Sequence, residues 1–296
     1  MATQTLTVDH EHHSSSDVDN ASSPCVNPAR RSGCPLHALC VPRGVGESTR
    51  SAWFAYGLLA YAAFLVTITY AIGFVGDWLV PKSIDTGTMG DFTAAILINV
   101  GLLALFAVQH TIMARPAFKK WWTTIIPEPI ERSTFVLVAS VILGATFALW
   151  RPIPTIVWTT DVAWLRIALH AVSLIGWSIV FTSSMMICHF DLFGLRQVWL
   201  ALRQRPYTHT TFGERGFYRF VRHPLMTGFL IAFWATPTMT AGHLLFAGLC
   251  TVYILIGTRF EERDLVAALG DQYRHYQAAV PALVPHPFRR RPSTES

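Results

Sequence analysis

Apolar residues run along this chain in long blocks with short polar breaks, and no stretch keeps the two-residue alternation of a half-buried strand. The blocks extend from about Trp53 to Val75, Phe92 to Met113, Thr134 to Trp150, Trp164 to Cys188, Pro224 to Met239 and Ala241 to Thr258. Several approach the roughly 20 residues that a helix needs to cross a bilayer. The Pro224 block is short and ends in Thr236-Pro237-Thr238, and the turn after it is too tight for anything but a helical hairpin. The pattern predicts an all-α, polytopic integral membrane protein with five to six transmembrane helices. Trp53 and Trp78 are placed as interfacial anchors. Between the fourth and fifth blocks a long polar stretch contains only a short apolar segment, around Leu192 to Leu202.

Residues 1–50 lack any apolar period and are rich in Ser, Asn, Asp, Pro and His, which predicts a disordered cytoplasmic tail. Cys25, Cys34 and Cys40, with His10, His12, His13 and His37, have irregular spacing that matches no strong zinc pattern, so no metal is expected. One membrane domain is expected over 51–288, with a basic, flexible C-terminus over 289–296. The chain is 52% hydrophobic and 14% charged, as a membrane domain requires. Its five cysteines are an odd number, with two in apolar blocks, which excludes the disulfide framework of a small secreted protein. The first twenty residues have no apolar core of a signal peptide.

Charge placement sets the orientation. Six crossings put the tail and segments 114–133, 189–223 and 259–296 on one side, with 20 of the 23 Lys and Arg residues. The positive-inside rule then places both termini in the cytoplasm. Anionic headgroups account for the basic excess, and no nucleic-acid partner is expected.

Candidate chemistry lies at that face. In Arg222-His223-Pro224-Leu225-Met226-Thr227-Gly228, proline suits the first turn of a helix, and the exposed amides of that turn, beside Arg222 and His223, make an electropositive site. Gly228 lies on the same helix face as Pro224 and lets a ligand or another helix approach closely. Past the last apolar block come Glu261 and Glu262, then Tyr273 and Tyr276. Acids at a membrane exit are costly without partners or water. A hairpin returns them to the face of Arg222 and His223, so that cation and acid face one another across a small cleft. Such a cleft suits a ligand carrying a carboxylate and an ammonium or sulfonium, and the two tyrosines offer ring faces to a cation. A plainer reading makes Arg222 an interfacial snorkelling arginine and the acids a solvated helix cap.

Arg-His-Pro-x-x-x-Gly, followed by a span and then by Glu-Glu-x-x-Leu-x-x-x-x-Gly-x-x-Tyr-x-x-Tyr-x-x-x-Val-Pro, resembles the membrane methyltransferases related to isoprenylcysteine carboxyl methyltransferase. The resemblance implies a helical S-adenosylmethionine site at the cytoplasmic end of the last helices. It assigns Arg222, His223, Pro224, Leu225, Gly228, Glu261, Glu262, Tyr273 and Tyr276 to that cofactor. Many relatives have tyrosine where this chain has Met226. Further stretches, among them Trp53 to Gly57, Ala107 to His110, Ile130 to Ser133 and His189 to Trp199, resemble the bacterial branch that methylates methanethiol. That likeness covers about residues 50–285. It implies dimethyl sulfide as product, a small volatile thiol as substrate and the bacterial inner membrane as location.

A thiolate is the effective nucleophile, and alkanethiols hold their proton at least as tightly as cysteine, with a pKa of about 8.5. His189 and Asp191 are the candidates for accepting that proton and orienting the acceptor, and Arg196 for stabilising negative charge. These three can also be read as helix caps and a lipid-phosphate contact. Three other functions remain open at this point. One is methylation of an isoprenylcysteine or a phospholipid headgroup. Another is haem binding through His110, His170 or His189, and the third a non-catalytic scaffold. Oligomeric state is not legible in the sequence.

Overall fold

A computed structural model describes residues 44–207 and 216–285. The tail cysteines and histidines and the basic segment 289–296 lie outside the described residues. In chain order the elements are α1 (Glu47–Gly76), α2 (Phe92–Ala114), α3 (Pro116–Trp122), α4 (Glu131–Leu149), β1 (Ile156–Thr159), α5 (Ala163–Ile187), α6 (His189–Leu192), α7 (Leu195–Leu202), α8 (Pro224–Trp234), β2 (Thr238–Thr240), α9 (Ala241–Leu269) and α10 (Asp271–Ala279). Of these, α1, α2, α4 with its preceding turn, α5 and α9 are long and apolar enough to cross a membrane. The fold is all-α and polytopic, as the apolar blocks predict.

The block read as a possible sixth crossing is unusual. At about 1.5 Å per residue, the 11 residues of α8 cover roughly half of a hydrocarbon core about 30 Å thick. Pro237 cannot continue the helix. The chain goes on in an extended form, and β2 pairs antiparallel with β1, Ile156 opposite Thr240 and Thr159 opposite Thr238. Pro237 O also accepts from Thr160 N at 3.1 Å. This pairing satisfies backbone groups that hydrocarbon would leave without partners. The ribbon was not evident in the sequence, because its strands are three and four residues long and follow a proline.

Two glycines set the position of α8. Gly176 of α5 and Gly228 of α8 meet backbone to backbone: a Cβ on Gly228 would lie 2.7 Å from Gly176 O, and one on Gly176 2.6 Å from Ala232 N. Ser173 Oγ donates to Ala232 O at 3.0 Å across the same contact. Small residues are what allow helices in lipid to approach this closely. An aromatic cluster that includes Phe74, Phe147, Trp150, Trp177, Phe233 and Phe246 packs near the ribbon end of the bundle. At the other end gather the basic connections, tied by an Arg115–Asp264 pair at 2.9 Å. The last long helix runs well past Thr258, where the apolar block ends, and carries Glu261 and Glu262 on its own extension. Gly270, at φ +58°, ends it and turns α10 back so that Tyr273 and Tyr276 pack against Leu269 and Val280.

Candidate functional site

A cavity of 1040 Å³ runs inside the bundle. Its walls are mainly apolar, and Phe147, Phe233 and Phe246 of the aromatic cluster line one end. Two polar walls line it elsewhere.

The first wall comes from the start of α8 with the end of α9 and α10. Arg222, His223, Leu225, Glu261, Tyr273 and Tyr276 all face the cavity. Pro224, Gly228 and Glu262 are not among its lining residues. The cleft expected between cation and acid is closed on one side, because Arg222 Nε donates to Glu262 Oε1 at 2.6 Å and His223 Nε2 lies 3.1 Å from the same oxygen. Arg222 Nη1 donates further to Gln277 O at 3.0 Å and to Val280 O. Glu262 is thus spent on the wall, while Glu261 faces the cavity with His223 Nδ1 3.7 Å from its Oε2. Tyr273 and Tyr276 are buried in a T-shaped pair, 5.7 Å between centroids, and Tyr276 Oη donates to Tyr218 O at 2.6 Å. Burial, with Glu262 beside it, pushes the Tyr273 phenol well above its ordinary range, so it stays protonated. Gly228 faces α5 rather than ligand space; of the two close approaches its lack of a Cβ allows, the structure uses the helix contact.

The second wall is built by α4, α6 and α7, and Arg132, His189, Leu192, Phe193 and Arg196 face the cavity there. Cys188, at φ +113°, separates α5 from α6 and swings His189 inward. Gly194, at φ +86°, joins α6 to α7 and packs so closely on α4 that a Cβ would lie 2.7 Å from Ser133 N. Ser184 Oγ donates to Phe181 O at 2.6 Å and so accepts from His189 Nδ1 at 2.9 Å. That fixes the tautomer and leaves Nε2 to accept from Tyr61 Oη at 2.8 Å. Burial lowers the pKa of His189, which is neutral at pH 7.

Asp191 does not orient His189 through these bonds. Its carboxylate, 1% exposed, accepts from Tyr207 Oη at 2.9 Å and Gln197 Nε2 at 3.1 Å, with Arg196 Nη1 at 3.5 Å. The two residues are neighbours in sequence but belong to separate hydrogen-bond networks. Burial, with Asp191 adjacent, raises the Tyr207 phenol far above its ordinary range and keeps it a donor.

Ser184, Tyr61 and Tyr207 were missed by sequence reasoning, because each is one polar atom in an apolar or loop context with no spacing signal. Of the histidines considered for haem, His110 and His189 line the cavity, whereas His170 packs on Trp78, 4.9 Å between ring centroids, and does not. No group of three metal-capable side chains occurs among the described residues.

Fold and site together define a polytopic helical membrane protein with an internal small-molecule chamber. Among known proteins the chain is 53% identical over 234 residues to a methanethiol S-methyltransferase of Mycobacterium tuberculosis, covering 79% of this chain and 96% of that protein. It is 53% identical to methanethiol S-methyltransferase 2 of Bradyrhizobium diazoefficiens, covering 82% of this chain and 93% of the relative. Methanethiol S-methyltransferase 1 of the same organism is 52% identical, over 78% and 81% respectively. The chain belongs to the methanethiol S-methyltransferase family. No protein-family model and no solved structure matches it.

Proposed function

We propose that this chain uses S-adenosylmethionine to methylate methanethiol to dimethyl sulfide, working at the cytoplasmic side of the bacterial inner membrane with both termini in the cytoplasm. The observation that carries this reading is a single cavity walled on one side by Glu261, Tyr273 and Tyr276 and on another by His189 and Arg196.

The first wall fits the cofactor. A carboxylate and aromatic rings suit a ligand with two cationic centres, and Glu261 has no closer cation than the His223 ring among the described residues. When bound, S-adenosylmethionine supplies a methyl group on a positively charged sulfur. Arg222 and Glu262 hold the start of α8 against the end of α9, while His223 and Leu225 border the ligand. Pro224 and Gly228 act from behind the wall by fixing where α8 begins and how closely it lies on α5. On the second wall the neutral His189 ring accepts from Tyr61 Oη at Nε2, the nitrogen that takes the thiol proton once the thiol displaces that hydroxyl. With its pKa lowered it passes a proton on rather than keeping it. Asp191 holds Gln197 and Arg196, which stabilises negative charge. Holding two reactants in line and out of water can supply several kcal/mol, about 7–11 at best.

Leu65, Phe181, Val252 and Ile256 line the cavity and are exposed apolar side chains of membrane-length helices. This supports entry of an apolar thiol from the bilayer, and it is also the one feature that suits an isoprenylcysteine substrate. Headspace analysis of membranes carrying the chain, given methanethiol and methyl-labelled S-adenosylmethionine, should find labelled dimethyl sulfide. If none forms while the Mycobacterium tuberculosis relative produces it in parallel, the reading fails. Preference for a prenylated cysteine in direct competition would move the assignment to the lipid substrate.

A further inference from the structure

One charged residue of the second wall has no role in the account so far. Arg132, in the first turn of α4, is only 8% exposed and lines the cavity beside His189, Phe193 and Arg196. Its Nε donates to Leu192 O at 2.8 Å, and its guanidinium lies over the Phe135 ring, 4.9 Å from the centroid. Among the described residues it makes no other hydrogen bond and no ion pair.

A buried cation is costly unless an anion meets it. The titratable groups in electrostatic range are Glu131 on its own helix, His110 on α2, Lys119 on α3, Asp191 on α6 and Tyr207. Asp191 already serves Arg196, Gln197 and Tyr207. Glu131 meets Arg132 electrostatically from its own helix but does not line the cavity, so the charges this wall turns toward the cavity are the guanidiniums of Arg132 and Arg196, which favours an anion entering it. A thiol in this position creates that anion when it ionises, and the neutral His189 does not retain the proton as compensation.

We infer that Arg132 is the counter-charge of the substrate thiolate. The thiol S–H bond breaks heterolytically, its electron pair stays on sulfur, the proton leaves to water, and the terminal guanidinium nitrogens hold the anion. The inference rests on the proposed thiol methylation and deepens it, adding a residue that contacts the nucleophile.

The test is calorimetric titration of methanethiol into the full-length protein saturated with S-adenosylhomocysteine, in buffers of different ionisation enthalpy at about pH 7. The wild-type protein should release close to one proton per thiol bound, and Arg132→Gln should release less than half as much. Turnover of Arg132→Gln should fall about tenfold or more at neutral pH and recover as the medium is made alkaline toward the thiol's own pKa, which lies above the cysteine value of about 8.5. Arg132→Lys keeps the charge and covers the case in which the glutamine variant does not fold; its thiol affinity should drop about fivefold. Release near zero in the wild type overturns the inference, as does unchanged release in Arg132→Gln or unchanged thiol affinity in Arg132→Lys. So does a loss confined to S-adenosylhomocysteine affinity, which would make Arg132 a cofactor anchor. A wild-type protein that forms no dimethyl sulfide fails at the proposed function instead.

Discussion

Arg222 Nε and Glu262 Oε1 lie 2.6 Å apart, joining the residues before α8 to the extended end of α9. The backbone follows the same seam: Arg222 N donates to Pro281 O at 2.9 Å and His223 N to Ala282 O at 3.0 Å, so the segment after α10 is laced onto the start of α8. The two glutamates are therefore expected to separate in experiment although they are adjacent in sequence. Glu262→Gln breaks a largely buried charged hydrogen bond and should cost about 2–3 kcal/mol of stability, seen as a lower thermal transition in detergent. Glu261→Gln should leave that transition in place and weaken S-adenosylmethionine binding about tenfold by calorimetry. Unchanged affinity would remove Glu261 from the site.

The hydrogen bonds of His189 set a pH dependence whose sign can be worked out. Burial lowers its pKa below the ordinary value, about 6.5. Just below that pH the unfolded chain binds more protons at this position than the folded protein. Stability therefore rises with pH through this window, is lost on acidification, and is flat above it, where both states are neutral. Between about pH 6.5 and 5 the thermal transition of the wild type should fall more steeply than that of His189→Gln. The variant should also lose about a hundredfold in turnover, with cofactor affinity kept within about twofold. Parallel stability profiles would show that the ring does not titrate as described.

Much of this architecture was legible in the sequence, for reasons visible in particular elements. Five apolar blocks matched five long helices because hydrocarbon leaves the backbone little other choice. The meeting of Arg222 with Glu262 could be read because a hairpin of fixed length returns both to one end. The form of the sixth block could not, since composition does not reveal that a proline divides it into a short helix and a paired strand. Nor could the partners of His189 and Asp191 be read: adjacency suggested one network, whereas the turns at Cys188 and Gly194 direct them into two. Arg132 stood inside a recognised stretch, but only the packing shows a charge left facing the cavity.

Tyr207 Oη donates to Asp191 Oδ2 at 2.9 Å from a ring that is 6% exposed, and Arg196 lies over that ring, 5.1 Å from its centroid. Tyr207→Phe removes one donor from a buried carboxylate while leaving the ring under the guanidinium. It should cost about 1–3 kcal/mol of stability and lower turnover by loosening Arg196. Cofactor binding should not change, because this network belongs to the second wall. If binding falls in step with turnover, the two walls are not independent.

Gly228 offers the clearest separation of a packing role from a ligand role. Were it a cofactor contact, alanine would raise the KM for S-adenosylmethionine and leave the fold alone. In the structure, a Cβ there would fall 2.7 Å from Gly176 O and 2.9 Å from Val180 N, both atoms of α5 backbone that cannot rotate away. Gly228→Ala should therefore push α8 off α5 at a cost of about 1–3 kcal/mol or more, with Gly176→Ala doing the same from the other side. The double variant should cost less than the sum of the singles, since one displacement relieves both clashes. Thermal transitions of the two single variants and the double variant measure this coupling. Strictly additive losses, or a raised KM with unaltered stability, would assign Gly228 to the ligand after all.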